Sequence, residues 1–221
     1  IISNAGRFYF TTKFMDFAVT NGQISSVKLK DLVNNKTFDI KTNKLILAIG
    51  HSSRDTFELL YKNGINMEQK NFSVGVWIEH LQESIDKAQY GDNPKLKLPP
   101  AEYKLAYHSP SGRSCYTFCM CPGGTVIASS SEENTIVTNG MSNYLRNGTN
   151  ANSAVLVNIT PEDFSDSSPL AGMYFQKELE EKAFILGGSN YNAPIQKVGD
   201  FLNNTITKQI GSVIPSYLPG T

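Results

Sequence analysis

The sequence has no excess of charge of either sign. Its 20 lysine and arginine residues balance 20 aspartate and glutamate residues, so the formal net charge at pH 7 is zero. Proteins that bind nucleic acid or anionic membrane surfaces usually concentrate positive charge on one face. The balance of charge therefore argues against a nucleic-acid or membrane partner.

Long apolar runs are also missing. The longest run is far shorter than the roughly 20 residues that a membrane helix requires. The first residues, IISNAGRFYF, lack the basic region followed by an apolar stretch that marks a secretory signal. With 40% hydrophobic and 18% charged residues, the composition is typical of a folded globular chain.

Cysteine is scarce: Cys115, Cys119 and Cys121 are the three in the chain. An odd number of cysteines this close together does not indicate a disulfide framework, so we expect a reducing, cytoplasmic setting. The spacing matches no zinc-binding pattern, and we predict no metal site. On a regular strand the even separations would place all three on one face, as small apolar core residues. A redox or nucleophilic role for Cys119 or Cys121 is the alternative reading.

Several nucleotide-binding and catalytic motifs are absent. No G-x-G-x-x-G occurs, and PGGT at residues 122–125 lacks the Lys-Ser/Thr of a phosphate-binding P-loop. No G-x-S-x-G elbow supports serine hydrolase chemistry. Any function must therefore use other residues.

Strand patterns dominate what is present. Residues 7–40 are rich in aromatic and β-branched residues and contain an Asn-Gly pair at 21–22, which predicts an antiparallel β-meander. The run LILAIG at residues 45–50 does not alternate, which predicts a strand buried on both faces. A helix is expected directly after it, capped by Ser52 or Ser53.

More strands and a few helices follow. Strands are predicted at residues 72–80, 103–109, 113–120, 124–131, 135–138 and 154–159. Helices are predicted at 81–91, within 168–188 and at 198–207, the second with an apolar stripe of Phe175, Leu179, Lys182, Ala183 and Leu186. Residues 139–153 indicate a long polar loop. Few helices among many strands predict an α+β fold with a mixed, largely antiparallel β-sheet.

The junction at residues 50–54 is the strongest candidate site by residue type. His51 lies where the predicted strand meets a helix N-terminus, a place where backbone N–H groups and the helix dipole favour an anion such as phosphate. Arg54 in the first turn would add positive charge.

Several stretches resemble a known family. The meander followed by KLILAIG resembles the FAD-binding half of flavoproteins with two dinucleotide folds. The stretch LAIGHSSRDTFELLYKNGINMEQKNFSVGVWIEH is similar to a bacterial group of FAD-dependent dehydrogenases, often described as NAD-utilising dehydrogenases. The likeness continues through CYTFCMCPGGTVIASSSEENTIVTNGMS and PLAGMYFQKELEEKAF and covers almost the whole chain.

The resemblance implies two domains. Residues 1–70 would be part of an FAD-binding domain containing the meander, and residues 71–221 would be a β-rich substrate or cap domain. The family's Gly-rich pyrophosphate turn and its second Gly-rich flavin contact are not in this sequence. We therefore expect an internal fragment of a longer enzyme, with the missing N- and C-terminal parts of the parent chain as its partners. The fragment alone is expected to be inactive and to lack FAD.

The resemblance also implies site residues and a function. Cofactor contacts are expected from Ala48, Ile49, Gly50, His51, Ser52 and Arg54. Loops that face the flavin or substrate are expected at Gly123, Gly124, Asn139 and Gly140. The parent would be an FAD-dependent oxidoreductase acting on a small-molecule substrate, with the flavin supplying the chemistry and NAD(P) as a possible second cofactor. The alternative is a non-catalytic module that binds a small molecule or a protein through residues 139–153.

Overall fold

A computed structural model describes residues 3, 6–92 and 97–220. The chain divides into two compact units, one ending at Met67 and the other beginning at Glu68. Four α-helices occur in the described residues, and the larger sheets are antiparallel. The prediction of an α+β fold with a mixed, largely antiparallel β-sheet is therefore confirmed.

A β-meander forms the sheet of the first unit, as predicted. β1 (Thr12–Thr20), β2 (Gln23–Asp31) and β3 (Lys36–Lys41) pair antiparallel in sequence order. Asn21 and Gly22 connect β1 to β2 with φ angles of 52° and 76°. Positive φ at both central residues gives a hairpin turn the twist that its strands need, which is why Asn-Gly is favoured there.

A helix follows the predicted junction. α1 (Arg54–Lys62) has Ser53 at its N-cap position, but the Ser53 hydroxyl donates to the carbonyl of Ile49, 2.8 Å away, and does not cap the helix. An ion pair between Lys13 and Asp55 ties α1 to β1. The helix prediction is confirmed, while the expected serine cap is wrong.

The predicted buried strand at residues 45–50 is also wrong. The segment forms no strand in the described part of the chain, and Ile46 is 91% exposed. A strand buried on both faces needs hydrogen-bonded neighbours and a covering layer on each side. The described residues supply neither, so an uncharged apolar segment that includes the exposed Leu47 faces solvent.

A four-stranded antiparallel sheet organises the second unit. Its order is β4-β9-β6-β5, with β4 (Phe72–Leu81), β5 (Ala106–His108), β6 (Ser114–Cys121) and β9 (Asn150–Ile159). β4 and β9 pair without a register shift along their whole length. β9 is therefore an inner strand of the sheet, paired with the edge strand β4 on one side and with β6 on the other.

A second sheet occupies part of the predicted loop at residues 139–153. β7 (Gly124–Ala128) pairs with β8 (Thr138–Ser142), and β9 already begins at Asn150. The loop prediction is therefore wrong except at residues 143–149. Asparagine and glycine disfavour strands on average, but pairing and burial override that local preference here.

The remaining helices lie where the sequence predicts them. They are α2 (Gln82–Tyr90), α3 (Ala171–Leu186) and the short α4 (Val198–Leu202). A short parallel pair joins β10 (Ala193–Pro194) to β11 (Pro219–Gly220). No helix in the described ranges has both the length and the hydropathy that a membrane span requires.

The predicted apolar stripe of α3 is only partly correct. Phe175 contacts the aromatic rings of Phe72 and Phe164, with centroids 6.3 and 6.0 Å apart. Leu179 and Leu186 are exposed, whereas Phe184 is buried against residues outside the helix. Ile136, before β8, and Ala193, after α3, cover the side of α3 that contains Phe184. The periodicity of the helix sequence does not specify which side of the helix such segments cover.

Candidate functional site

An open groove of about 540 Å³ lies on the second unit. It is lined by two stretches of chain, residues 102–104, which precede β5, and residues 117–120 at the end of β6. The lining residues are Glu102, Tyr103, Lys104, Thr117, Phe118, Cys119 and Met120. Small-molecule sites are typically concave and mostly apolar with a few polar groups, so this groove is the candidate functional site.

Buried hydrogen bonds hold the Tyr103 wall in place. Gln82, the first residue of α2, donates through Nε2 to the carbonyl of Ala101 at 2.9 Å and accepts from the N–H of Gly123 at 2.8 Å. Asp86 accepts from the N–H of Ala101 at 2.7 Å. Because Gln82 is almost fully buried, these bonds are shielded from water. They fix both the chain before Tyr103 and the turn after β6.

His80 and Tyr103 form a hydrogen-bonded pair beside the groove. The Nε2 atom of His80 lies 2.8 Å from the Tyr103 hydroxyl, and Nδ1 lies 3.4 Å from the carbonyl of Leu81. A carbonyl only accepts, so we assign the proton of the neutral ring to Nδ1 and the acceptor role to Nε2. The Tyr103 hydroxyl therefore donates to His80 in this state.

The environment keeps the Tyr103 phenol protonated. Burial raises the pKa of Tyr103, and the hydrogen bond with Ser153 opposes this only in part. The ring of Tyr103 also packs against that of His80, with centroids 5.6 Å apart and planes inclined by 42°. The phenol of Tyr103 is therefore neutral, and its hydroxyl is held by His80 and Ser153.

The stretch of β6 that lines the groove contains a β-bulge. The register of β6 on β9 passes from Phe118↔Ala154 to Cys121↔Asn152, so β6 has one residue more than its partner in this stretch. Cys119, inside the bulge, has a φ of 48°, a left-handed conformation that is uncommon for residues other than glycine.

The bulge separates the cysteines, so the prediction that all three share one face is wrong. Cys115 pairs with Val157 and Cys121 with Asn152, and these partners lie an odd number of positions apart on β9. Cys115 and Cys121 therefore lie on opposite faces of the sheet. Cys119 is exposed at the groove, which also contradicts the expected core position.

Cys121 is a weak nucleophile by its surroundings. Burial raises the pKa of its thiol, Cys119 raises it further, and Arg146 offsets this only in part. A raised pKa favours the thiol over the reactive thiolate. The described residues contain no group of three or more His, Cys, Asp or Glu side chains placed to hold a metal.

Gly123 lies in the buried turn between β6 and β7, and Gly124 is the buried first residue of β7. A Cβ atom on Gly123 would be 2.1 Å from the carbonyl oxygen of Arg146, and one on Gly124 would be 2.3 Å from that of Met141. The two glycines thus allow close approach between backbone segments of this chain. Their predicted contact with a flavin or substrate stays a prediction.

Asn139 and Gly140 lie in β8, against the four-stranded sheet. A Cβ on Gly140 would be 2.1 Å from Oδ1 of Asn152 and 2.4 Å from the ring of Trp77. Trp77 donates through Nε1 to the carbonyl of Thr138 at 3.0 Å, which fixes the hairpin on the sheet. Their predicted role in a loop that faces the flavin or substrate stays a prediction.

The predicted cofactor residues lie at the junction before α1, in the first unit. Ala48 is exposed and Ile49 is half-buried, and Gly50 has a φ of 70°. No described atom lies within 4 Å of a Cβ built on Gly50. His51 and Ser52 hydrogen-bond through Nε2 and Oγ at 3.3 Å. The junction therefore leaves the Gly50 backbone open to approach.

Arg54 differs from the sequence interpretation. Its residue surface is only 3% exposed, so the guanidinium is not presented at the surface as an additional positive charge for an anion.

Comparison with known proteins identifies the family. Residues 71–221 match the family described as "FAD-dependent protein, C-terminal domain-like". The chain belongs to this family. It is also 48% identical, over 217 residues and 97% of its own length, to an uncharacterized protein of Clostridium beijerinckii. The chain spans 40% of the length of that relative.

FAD, the cofactor in the family's name, fits the junction in one respect. The open Gly50 turn allows the close backbone approach that a dinucleotide requires, and the N-terminus of α1, which follows it, favours phosphate. Buried Arg54 does not strengthen that fit.

Sequence reasoning missed two buried asparagines on one face of β9. Asn150 donates to Oε1 of Glu79 at 3.0 Å and to the carbonyl of Ile214 at 2.9 Å, and accepts from the N–H of Ile214 at 3.3 Å. Asn152 is 0% exposed, and neither of its amide atoms has a hydrogen-bond partner among the described residues. Both residues fall within residues 139–153, which the sequence indicated as a polar loop, so burial of their side chains was not expected.

The unpartnered amide of Asn152 leads to a prediction about stability. We expect Asn152→Leu to raise the free energy of unfolding by about 1 kcal/mol, because leucine has the same branched shape and no buried polar atoms to satisfy. The matched control, Asn150→Leu, should lower it by about 2–4 kcal/mol, since it removes three hydrogen bonds. Urea unfolding followed by the fluorescence of Trp77, the one tryptophan, measures both. A destabilising Asn152→Leu would contradict the absence of amide partners.

Proposed function

We propose that the chain is part of an FAD-dependent oxidoreductase in which the second unit binds the substrate. The family match over residues 71–221 carries this proposal. The 40% share of the relative's length supports a longer parent protein. When bound, FAD would exchange a hydride or electrons with the substrate, while the residues of this chain bind it, orient it and limit access of water.

In this proposal the junction at residues 48–54 contacts the dinucleotide. The open backbone at Gly50 and the N-terminus of α1 support a contact with its phosphate groups. The turn that holds the pyrophosphate is expected from other parts of the parent chain.

The groove between residues 102–104 and 117–120 is the proposed substrate site. Phe118 and Met120 offer apolar surface to the body of a small molecule, and Glu102, Lys104 and Thr117 offer polar groups beside the Tyr103 phenol. Use of a nicotinamide cofactor as electron partner is a separate part of the proposal. It is tested by asking whether NADH or NADPH reduces the bound flavin.

Purification of the full-length protein tests the flavin assignment. We expect a yellow protein with flavin absorbance, from which heat releases FAD. The isolated 221-residue chain is the comparison, and FAD titrated into it should not bind tightly because the chain has no G-x-G-x-x-G turn. A full-length protein that is colourless and takes up no added FAD would contradict the proposal.

A further inference from the structure

We propose that Cys119 and Cys121 are a thiol pair that exchanges with small-molecule disulfides at the groove and closes to an intrachain disulfide. Cys119 is the attacking thiol, and Cys121 is the thiol that completes the exchange. The inference concerns the second unit alone, so it goes beyond the proposed function and does not depend on a bound flavin.

The two thiols differ in their access to solvent. Cys119 is exposed and lines the groove, whereas Cys121 is half-buried. Burial raises the pKa of Cys121, and so does the neighbouring Cys119, which makes Cys121 the poorer nucleophile toward a molecule from solution. An accessible thiol next to a second, less accessible one is the common arrangement of a redox-sensitive cysteine and its resolving partner.

The β-bulge changes the geometry between the two side chains. Cα atoms two residues apart on a strand are about 6.6 Å apart, within the range of about 4.4–6.8 Å found for disulfides. On a regular strand, however, the two side chains stand parallel, and their Cβ atoms are too far apart to be bridged. Here β6 departs from the regular pleat between Phe118 and Cys121, and Cys119 has a φ of 48°.

The side chain of Cys121 is turned back toward Cys119. Its Sγ donates to the carbonyl oxygen of Cys119 at 3.3 Å. The side chain of Cys119 is exposed, and exposed side chains change rotamer rapidly. Rotation about the Cα–Cβ bond of Cys119 is therefore the movement that brings its Sγ to that of Cys121.

Cys115 does not belong to the pair. It is opposite Val157 on β9, while Cys121 is opposite Asn152, so the two thiols lie on opposite faces of the sheet. The chain therefore contains a control thiol of its own.

The proposed exchange has two steps. The thiolate of Cys119 attacks one sulfur of the disulfide, the S–S bond breaks, and the first thiol leaves with a proton from water. Cys121 then loses its proton to solvent and attacks Sγ of Cys119, which releases the second thiol. One disulfide is reduced to two thiols, and two cysteine thiols are oxidised to one disulfide. The second step is intramolecular, which offsets the small thiolate fraction of Cys121.

The first test treats the 221-residue chain with glutathione disulfide and follows its intact mass. We expect the wild type to lose two hydrogens and to fall from three alkylatable thiols to one. Cys121→Ser should stop at the mixed disulfide and gain one glutathione. Cys119→Ser should react at least about 10-fold more slowly, because its remaining thiols are less accessible. Cys115→Ser is the matched control and should lose two hydrogens at the wild-type rate.

The second test asks whether the folded strand makes the pair. In urea the bulge is lost, so closure should slow and glutathione adducts should accumulate, including one on Cys115. In the folded chain, an excess of reduced glutathione should restore all three thiols, because the exchange is reversible.

The contrary outcomes are distinct. A wild type that keeps one glutathione and never loses two hydrogens would show that Cys121 does not complete the exchange. Disulfide formation that persists in Cys119→Ser, or is lost in Cys115→Ser, would assign the reactive thiols to other positions. Three free thiols after a treatment that fully converts free cysteine would overturn the proposal outright. A full-length protein without flavin would contradict the proposed function and leave all of these results unchanged.

Discussion

Gly123→Ala should lower the free energy of unfolding of the second unit by about 3 kcal/mol or more, enough to threaten its folding. Gly123 has a φ of 57°, which strains any residue with a side chain. Its added Cβ would also lie 2.1 Å from the Arg146 carbonyl oxygen and 2.3 Å from the attached carbon. These atoms belong to backbone and cannot rotate away, so the chain must separate there and weaken the bond from the Gly123 N–H to Gln82.

Gly199→Ala is the matched control. Gly199 lies within α4, has no φ in the left-handed region, and has no atom within 4 Å of a built Cβ. Alanine in a helix is favoured over glycine by roughly 0.5–1 kcal/mol, so this variant should be slightly more stable than the wild type. Urea unfolding followed by Trp77 fluorescence compares the two. Equal stability of Gly123→Ala and the wild type would show that the turn does not approach residue 146.

Local signals were enough to predict most of the fold. The two residues Asn21 and Gly22 are enough to specify the hairpin turn between β1 and β2. The sequence patterns that predict α1 and α2 likewise lie within the helices themselves. The segment at residues 45–50 has an equally clear local pattern, but a buried strand also needs neighbours that no local pattern can supply. β8 and the start of β9 show the opposite case, since pairing makes strands from residues with low strand propensity.

The candidate site was less predictable because its residues are distant in sequence. Cys119 could be singled out by residue type, but its bulge depends on an extra residue relative to β9. His80 and Tyr103 are 23 positions apart, and neither belongs to a recognisable motif. They meet because Gln82 and Asp86 bind the chain at Ala101, which sets where Tyr103 lies. Such contacts follow from tertiary structure and leave no spacing signal in the sequence.

Ile46→Lys should raise the solubility limit of the isolated chain several-fold. Residues 45–49, LILAI, are uncharged and apolar, form no strand among the described residues, and include Ile46 at 91% exposure. An exposed segment of this kind is a template for intermolecular strand pairing, and a charge at its centre opposes that pairing. The measurement is the protein concentration that stays in solution after ultracentrifugation, together with light scattering over time.

Ile206→Lys separates the effect of the segment from that of added charge. Ile206 is 86% exposed, but Thr205 and Thr207 flank it, so it belongs to no apolar run. Both variants add one positive charge and remove one exposed isoleucine, and neither should change stability by more than about 0.5 kcal/mol. If association begins at residues 45–49, only Ile46→Lys raises the solubility limit. An equal gain from Ile206→Lys would assign the effect to net charge, because a chain of zero net charge associates readily.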